Sequence, residues 1–180
     1  KLFLWGLFKK GVIADRVALI VDPVYDNPSQ YGSFMLMLAT VLFAFQIYCD
    51  FSAYSDIAIG TARLFGIDLM RNFAFPYFSQ NMHEFWRRWH ISLSTWFRDY
   101  VYIPLGGNRG GEARTWLNLA ATMVLGGLWH GASWTFVVWG LIHAILFIPL
   151  AVFARRAKQV VASGHGLGDA LRICVTFALV

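Results

Sequence analysis

An imidazole lies in the middle of the longest uncharged run of this chain, residues 115–154, which contain no Asp, Glu, Lys or Arg. Within that run only His130 and His143 can titrate near neutral pH. His130 stands in the phrase Leu128-Trp129-His130-Gly131-Ala132-Ser133-Trp134. Glycine permits close backbone approach, and the indoles of Trp129 and Trp134 can wall a substrate slot. An imidazole with a pKa near 6.5 suits proton abstraction, and a positioned base contributes about 10²–10⁴ in rate. Ionisable groups at membrane depth are costly and tend to mark substrate or proton pathways. The plainer alternative is a neutral histidine hydrogen-bonded to a neighbouring helix. His143, on the returning segment, reads as mainly structural.

A second polar set lies upstream. On one continuous helix, His83, Arg87, His90, Ser94 and Arg98 fall near i, i+4, i+7, i+11 and i+15 and form one stripe. Phe85, Trp86, Trp89, Leu93 and Trp96 fall on a separate aromatic face, and Glu84 is spaced to pair with Arg88 at i+4. Two readings fit this pattern: an interfacial helix with a wet polar side, or a stripe lining a reaction chamber. Arg87, Arg88 and Arg98 either contact an anionic substrate or brace the helix at the headgroups. Asp50 and Asp56 interrupt another apolar run and need partners, for which Ser52, Tyr54 or the stripe arginines are candidates. Structural bracing is the first reading of these carboxylates, and an ion or proton path is the second.

Other apparent motifs fail. Gly106-Gly107-Asn108-Arg109-Gly110-Gly111 lacks the Lys-Ser/Thr ending of a phosphate-binding loop. Gly164-His165-Gly166-Leu167-Gly168 follows no strand, and Ser133 is not in a nucleophile elbow. His83 and His90 have no Cys or acidic cluster to complete a zinc site, so no metal is expected. Cys49 and Cys174 are too few and too far apart for a disulfide framework.

The elements that must position these groups are helices in a bilayer. Hydrophobic residues make up 58% of the chain and charged ones 14%, well below the roughly 25% of soluble domains. Residues 115–154 suffice for two spans of about 20 residues each, with the breaks at Gly126-Gly127 or Gly131 left open. Residues 33–65 read as a long helix or helix pair, and residues 171–180 as another span cut short. Asp22-Pro23 should end the first helical stretch, leaving residues 22–32 as a loop. The basic segments at 63–114 and at Arg155, Arg156 and Lys158 orient the chain with those ends in the cytoplasm. His130 would then lie roughly 24 Å along a helix from Arg114, in the core or near its far side. The expected fold is an all-α polytopic transmembrane bundle with interfacial or re-entrant helices. The net charge of +5 fits basic loops better than nucleic-acid binding.

Phe85-Trp86-Arg87-Arg88-Trp89-His90-Ile91-Ser92-Leu93-Ser94-Thr95-Trp96-Phe97-Arg98-Asp99-Tyr100, followed by Tyr102-Ile103-Pro104-Leu105-Gly106-Gly107-Asn108, resembles the membrane-bound O-acyltransferase (MBOAT) family. Trp129-His130-Gly131 matches that family's hallmark histidine. Phe8-Lys9-Lys10, Ile13-Ala14-Asp15-Arg16 and Asp50-Phe51-Ser52-Ala53-Tyr54-Ser55-Asp56 are similar to the branch of bacterial alginate O-acetyltransferase membrane subunits and related polysaccharide-acetylating proteins. The resemblance implies that residues 1–180 are one fragment of an MBOAT transmembrane domain, lacking N-terminal and C-terminal parts. It implies a multi-pass protein of the bacterial inner membrane, with a tunnel through the bilayer.

The reaction implied moves an acetyl group from a cytoplasmic thioester, acetyl-CoA, to hydroxyls of an extracytoplasmic polysaccharide such as alginate. An extracytoplasmic partner protein would assist, and no bound cofactor is needed. His130 maps to the catalytic base and His90 to the second active position, with Trp129, Trp134, Arg87 and Ser94 placed to contact substrate. D-alanyl or other acyl transfer to an envelope polymer is the nearest alternative. A transporter component and a non-catalytic membrane scaffold are alternatives of a different class.

Overall fold

The computed structural model describes residues 1–157 and 167–180, and among these every regular element is helical. Lys158 and most of the glycine-rich stretch 163–168 lie outside the described residues. The chain divides into two compact units, Lys1–Asn72 and Phe73–Val180.

In the first unit, α1 (Leu2–Phe8) runs through a π-helical turn (Lys9–Ala14) into α2 (Asp15–Asp26). The expectation that Asp22-Pro23 ends this stretch is wrong: α2 continues through Pro23 to Asp26. Proline is worst in a helix interior, where it removes a bond and its ring clashes with the preceding turn. Here it sits in the last turn, while Val21 and Val24 on either side are fully buried and hold the helix down. A single helix, α3 (Ser33–Leu64), follows, 32 residues or roughly 48 Å long at 1.5 Å per residue. It is long and apolar enough to cross a bilayer, and only 11% of its apolar window is buried, unlike the core helix of a soluble protein.

The carboxylates of α3 are paired from the π-helical turn, not by arginines. Lys9 is 7% exposed, and its Nζ lies 2.8 Å from Asp56 and donates at 2.8 Å to Ser52. Lys10 lies 2.7 Å from Asp50 and 2.9 Å from Asp15. Hydrogen bonds to those two carboxylates raise the Lys10 pKa above its ordinary value. Lys9 and Lys10 leave the same irregular turn toward different carboxylates, one reaching Asp56 and the other Asp50 and Asp15.

In the second unit, α4 (Met82–Arg88) and α5 (Ile91–Phe97) lead through a π-helical turn (Arg98–Tyr102) and a glycine-rich loop to α6 (Gly111–His130) and α7 (Trp134–Ala157). A last helix, α8 (Leu167–Leu179), begins four residues earlier than the apolar run suggested. The uncharged stretch is a helical hairpin, α6 and α7, turning at Gly131-Ala132-Ser133. Gly126-Gly127 does not break α6. A Cβ on Gly127 would sit 2.2 Å from the Phe136 carbonyl oxygen, and one on Gly140 would sit 2.4 Å from that of Met123. The two glycines therefore let the helix backbones touch, as small residues do in bilayer helix pairs. The buried Asn118 amide donates at 3.0 Å to the Gly107 carbonyl and ties the glycine-rich loop to α6.

Candidate active site

His90 does not lie on a continuous helical stripe. α4 stops at Arg88, Trp89 is extended, and His90 adopts the left-handed conformation with φ 43° and ψ 57°. A non-glycine residue there is uncommon and costs about 1–3 kcal/mol, a strain often found at functional sites. Several tertiary contacts hold it. The Ala74 N–H donates to the Arg88 carbonyl at 3.0 Å and intercepts the end of α4. Trp89 packs edge-on to Phe73 at 5.1 Å and stacks on Phe85 at 5.5 Å. The Ser94 hydroxyl donates to the Trp89 carbonyl at 3.1 Å, and the Ser94 N–H to the His90 carbonyl at 2.9 Å. Helical periodicity is blind to such contacts, and so it carried the stripe straight through Trp89 and His90. The Glu84–Arg88 pair does form within α4 as its spacing suggested.

The break swings His90 toward the end of α6. The Trp129 indole meets both imidazoles edge-on, with ring centroids 6.0 Å from His90 and 5.1 Å from His130. Burial pushes the half-buried His90 imidazole below its ordinary pKa, and the charge His130 would carry pushes it further the same way. The Ser92 hydroxyl approaches His90 Nδ1 at 3.5 Å, and when it donates there Nε2 carries the proton of the neutral ring. His130 is the last residue of α6, where helix carbonyls favour a positive charge. A Cβ on Gly131 would meet the Phe136 ring at 2.7 Å, so only glycine lets that ring stack on His130 at 6.0 Å.

The other expected site residues are placed differently. Arg87 and His83 are exposed on α4, and Trp134 is 83% exposed at the start of α7. Ser94 braces the strained turn, while Arg98 pairs with the adjacent Asp99 at 2.7 Å on the surface. Among the described residues no group of three or more metal-ligating side chains comes together. Residue patterns overlooked Trp139 and gave Trp86 only as part of an aromatic face. Trp139 contacts His130 at 5.3 Å and His143 at 4.3 Å, and Trp86 contacts His143 at 5.4 Å. The i, i+4 spacing of Trp139 and His143 on one face of α7 was the available signal. Through Phe85, Trp89 and Phe73 the contacts return to His90, closing a circuit of aromatic rings that contains three imidazoles.

Two imidazoles about an indole, one at a helix C-terminus and one in a strained turn, form an arrangement suited to acid–base chemistry. A profile of the MBOAT, membrane-bound O-acyltransferase family, matches residues 10–164, and the chain belongs to that family. It is 46% identical to the probable alginate O-acetylase AlgI of Pseudomonas aeruginosa, over 99% of the chain and 33% of that protein. It is 46% identical to a peptidoglycan O-acetyltransferase of Helicobacter pylori, over 80% of the chain and 27% of that protein. A teichoic acid D-alanyltransferase of Streptococcus thermophilus is 37% identical over 89% of the chain and 41% of its own length. The chain thus spans a third or less of the alginate O-acetylases it matches.

Proposed function

We propose that this chain carries the reaction centre of a multi-pass inner-membrane O-acetyltransferase. The enzyme moves acetyl from a cytoplasmic thioester, acetyl-CoA, to hydroxyls of an extracytoplasmic polysaccharide such as alginate, with the help of an extracytoplasmic partner. The observation that carries this reading is the convergence of His90 and His130 on Trp129 in a member of an O-acyltransferase family. His130 takes the proton of the attacking hydroxyl as the oxygen bonds to the thioester carbonyl carbon. The imidazolium so formed is stabilised by the carbonyl end of α6. His90, neutral and with its strain already met by the fold, donates from Nε2 to the carbonyl oxygen as negative charge develops there. Collapse of the tetrahedral intermediate breaks the carbon–sulfur bond, and the leaving thiolate takes the proton back from His130. In this reading both α3 and the α6–α7 hairpin enter the bilayer; among the described residues α3 is the helix long and apolar enough to cross it.

The test uses the full-length protein in a host that acetylates its polysaccharide. His130→Ala at equal membrane abundance should abolish ester-linked acetate, whereas unchanged acetate would remove His130 from the chemistry. The S. thermophilus relative supports D-alanyl transfer as a second reading. Quantifying D-alanine esters in the same samples separates the two.

A further inference from the structure

The aromatic circuit contains one buried imidazole that the proposed chemistry does not use. His143 is 3% exposed, and its Nδ1 has no hydrogen-bond partner among the described residues. The Nε1 of Trp86, also buried, has none either. The two rings meet edge to face, with centroids 5.4 Å apart, and both touch Trp139, whose other neighbour is His130. An indole nitrogen can only donate, whereas a neutral imidazole can accept at the nitrogen that lacks a proton. Buried polar atoms left without partners are costly and few in native structures, and here two fall on rings in contact. With the His143 ring proton on Nε2, one group satisfies both at once: a hydroxyl that accepts from the indole N–H and donates to Nδ1. A carboxylate offers no proton to Nδ1, and an ammonium accepts nothing from the indole.

We propose that Trp86 Nε1 and His143 Nδ1 together form a binding position for a hydroxyl group, one indole away from His130. That hydroxyl belongs either to the acceptor alcohol or to a bound water; the former source rests on the acetyl-transfer reading above. Trp86 and His143 are then positioning residues that hold the acceptor by a neighbouring hydroxyl while His130 works on the reacting one.

Trp86→Phe keeps the ring and deletes the donor. His143→Leu deletes the acceptor, and His143→Asn restores an acceptor oxygen near the place of Nδ1. Full-length protein would be assayed in host membranes together with its extracytoplasmic partner, with acetyl-CoA and an oligosaccharide acceptor, and its melting temperature taken on the detergent-purified protein. A shared hydroxyl predicts non-additivity: the double variant Trp86→Phe/His143→Leu is no worse than the poorer single variant, and His143→Asn recovers much of the loss. If the acceptor supplies the hydroxyl, each single variant raises the acceptor KM about tenfold with kcat little changed. If water supplies it, the non-additivity shows only in melting temperature. Additive effects in both readouts, or no effect in either, would overturn the site. Absence of acetyl transfer by the wild type would sink the acetyltransferase reading instead, leaving the melting-temperature cycle to decide the hydroxyl site.

Discussion

At the scale of single residues, the conformation of His90 matters more than its position in the sequence. Its neutral form is favoured by burial first and by His130 second. The folded pKa therefore lies below the unfolded value near 6.5, so the unfolded chain binds more protons as pH falls through that value. The stabilisation from keeping His90 neutral is complete above about pH 6.5 and is lost on going more acid. The expected outcome is a transfer rate flat from pH 7 to 8 whose acid limb lies below 6.5, read from a pH–rate profile at constant ionic strength. His90→Gly should behave differently from His90→Asn. Glycine relieves the left-handed strain and removes the imidazole, so the protein melts no lower while transfer falls by about 10²-fold or more. Comparing melting temperature with rate for these two variants separates the fold's need at residue 90 from the chemistry's. That His130 stands against an indole was legible from the neighbouring Trp129 in the sequence. The left-handed turn at His90 was not, since it depends on Ala74, Phe73 and Ser94, which reach it through the folded chain.

The element that matters most to the candidate site is the α6–α7 hairpin, which places His130 at its tip and Trp139 and His143 on its returning arm. Its closest approach is backbone against backbone at Gly127 and Gly140. Gly140→Ala must push the Met123 carbonyl away from a contact of 2.4 Å, and no side-chain rotation can relieve it. Overpacking of this kind costs about 1–3 kcal/mol, equivalent to roughly 2–12 °C in a domain of this size. A melting curve of the detergent-solubilised protein should show that fall, with Gly126→Ala as a control because its new Cβ would meet nothing nearer than 4.0 Å. The hairpin itself could be read in advance, since an uncharged run of that length has room for two helices. The function of its glycines could not: a glycine pair in an apolar run reads equally well as a break or as a contact, and only the partner helix decides. Pro23 carries the same lesson, because the burial of Val21 and Val24 outweighs a local stop signal.

Considered whole, the two units share one kind of glue and differ in the other. Both use close glycine contacts, Gly6 and Gly60 in the first and Gly127 and Gly140 in the second, but the first adds ion pairs across its helices and the second a circuit of aromatic rings. In the first unit, Lys9→Met leaves Asp56 with its charge and without its cation in a poorly solvated place. Removing one partner of such a pair costs about 3–5 kcal/mol when it is fully buried, and somewhat less here because the Asp56 side chain is 20% exposed. Lys9→Met with Asp56→Leu should recover much of that loss, and thermal unfolding of the three variants checks it. Recovery would mark the pair as bracing, whereas loss of acetyl transfer in a stable double variant would give it a part in the reaction. The need of Asp50 and Asp56 for partners was evident from sequence, but their identity was not. Lys9 and Lys10 look like interfacial charges until the irregular turn that carries them is seen.

That irregular turn has a consequence for how the first unit tolerates length changes. An α-helix advances about 100° per residue, and a π-helical turn accommodates one residue more than the regular winding would. Removing Gly11, whose Cα faces open space, would let residues 2–26 wind as one uninterrupted α-helix with better local geometry. Because the turn already absorbs that one extra residue, the deletion would leave the faces of α1 and α2 close to their present relation and would change only how Lys9 and Lys10 leave the helix toward Asp56 and Asp50. The irregularity is thus slack in the winding: it takes up one residue within a continuous helix, so a one-residue shortening at Gly11 should cost the first unit less than one inside α1 or α2.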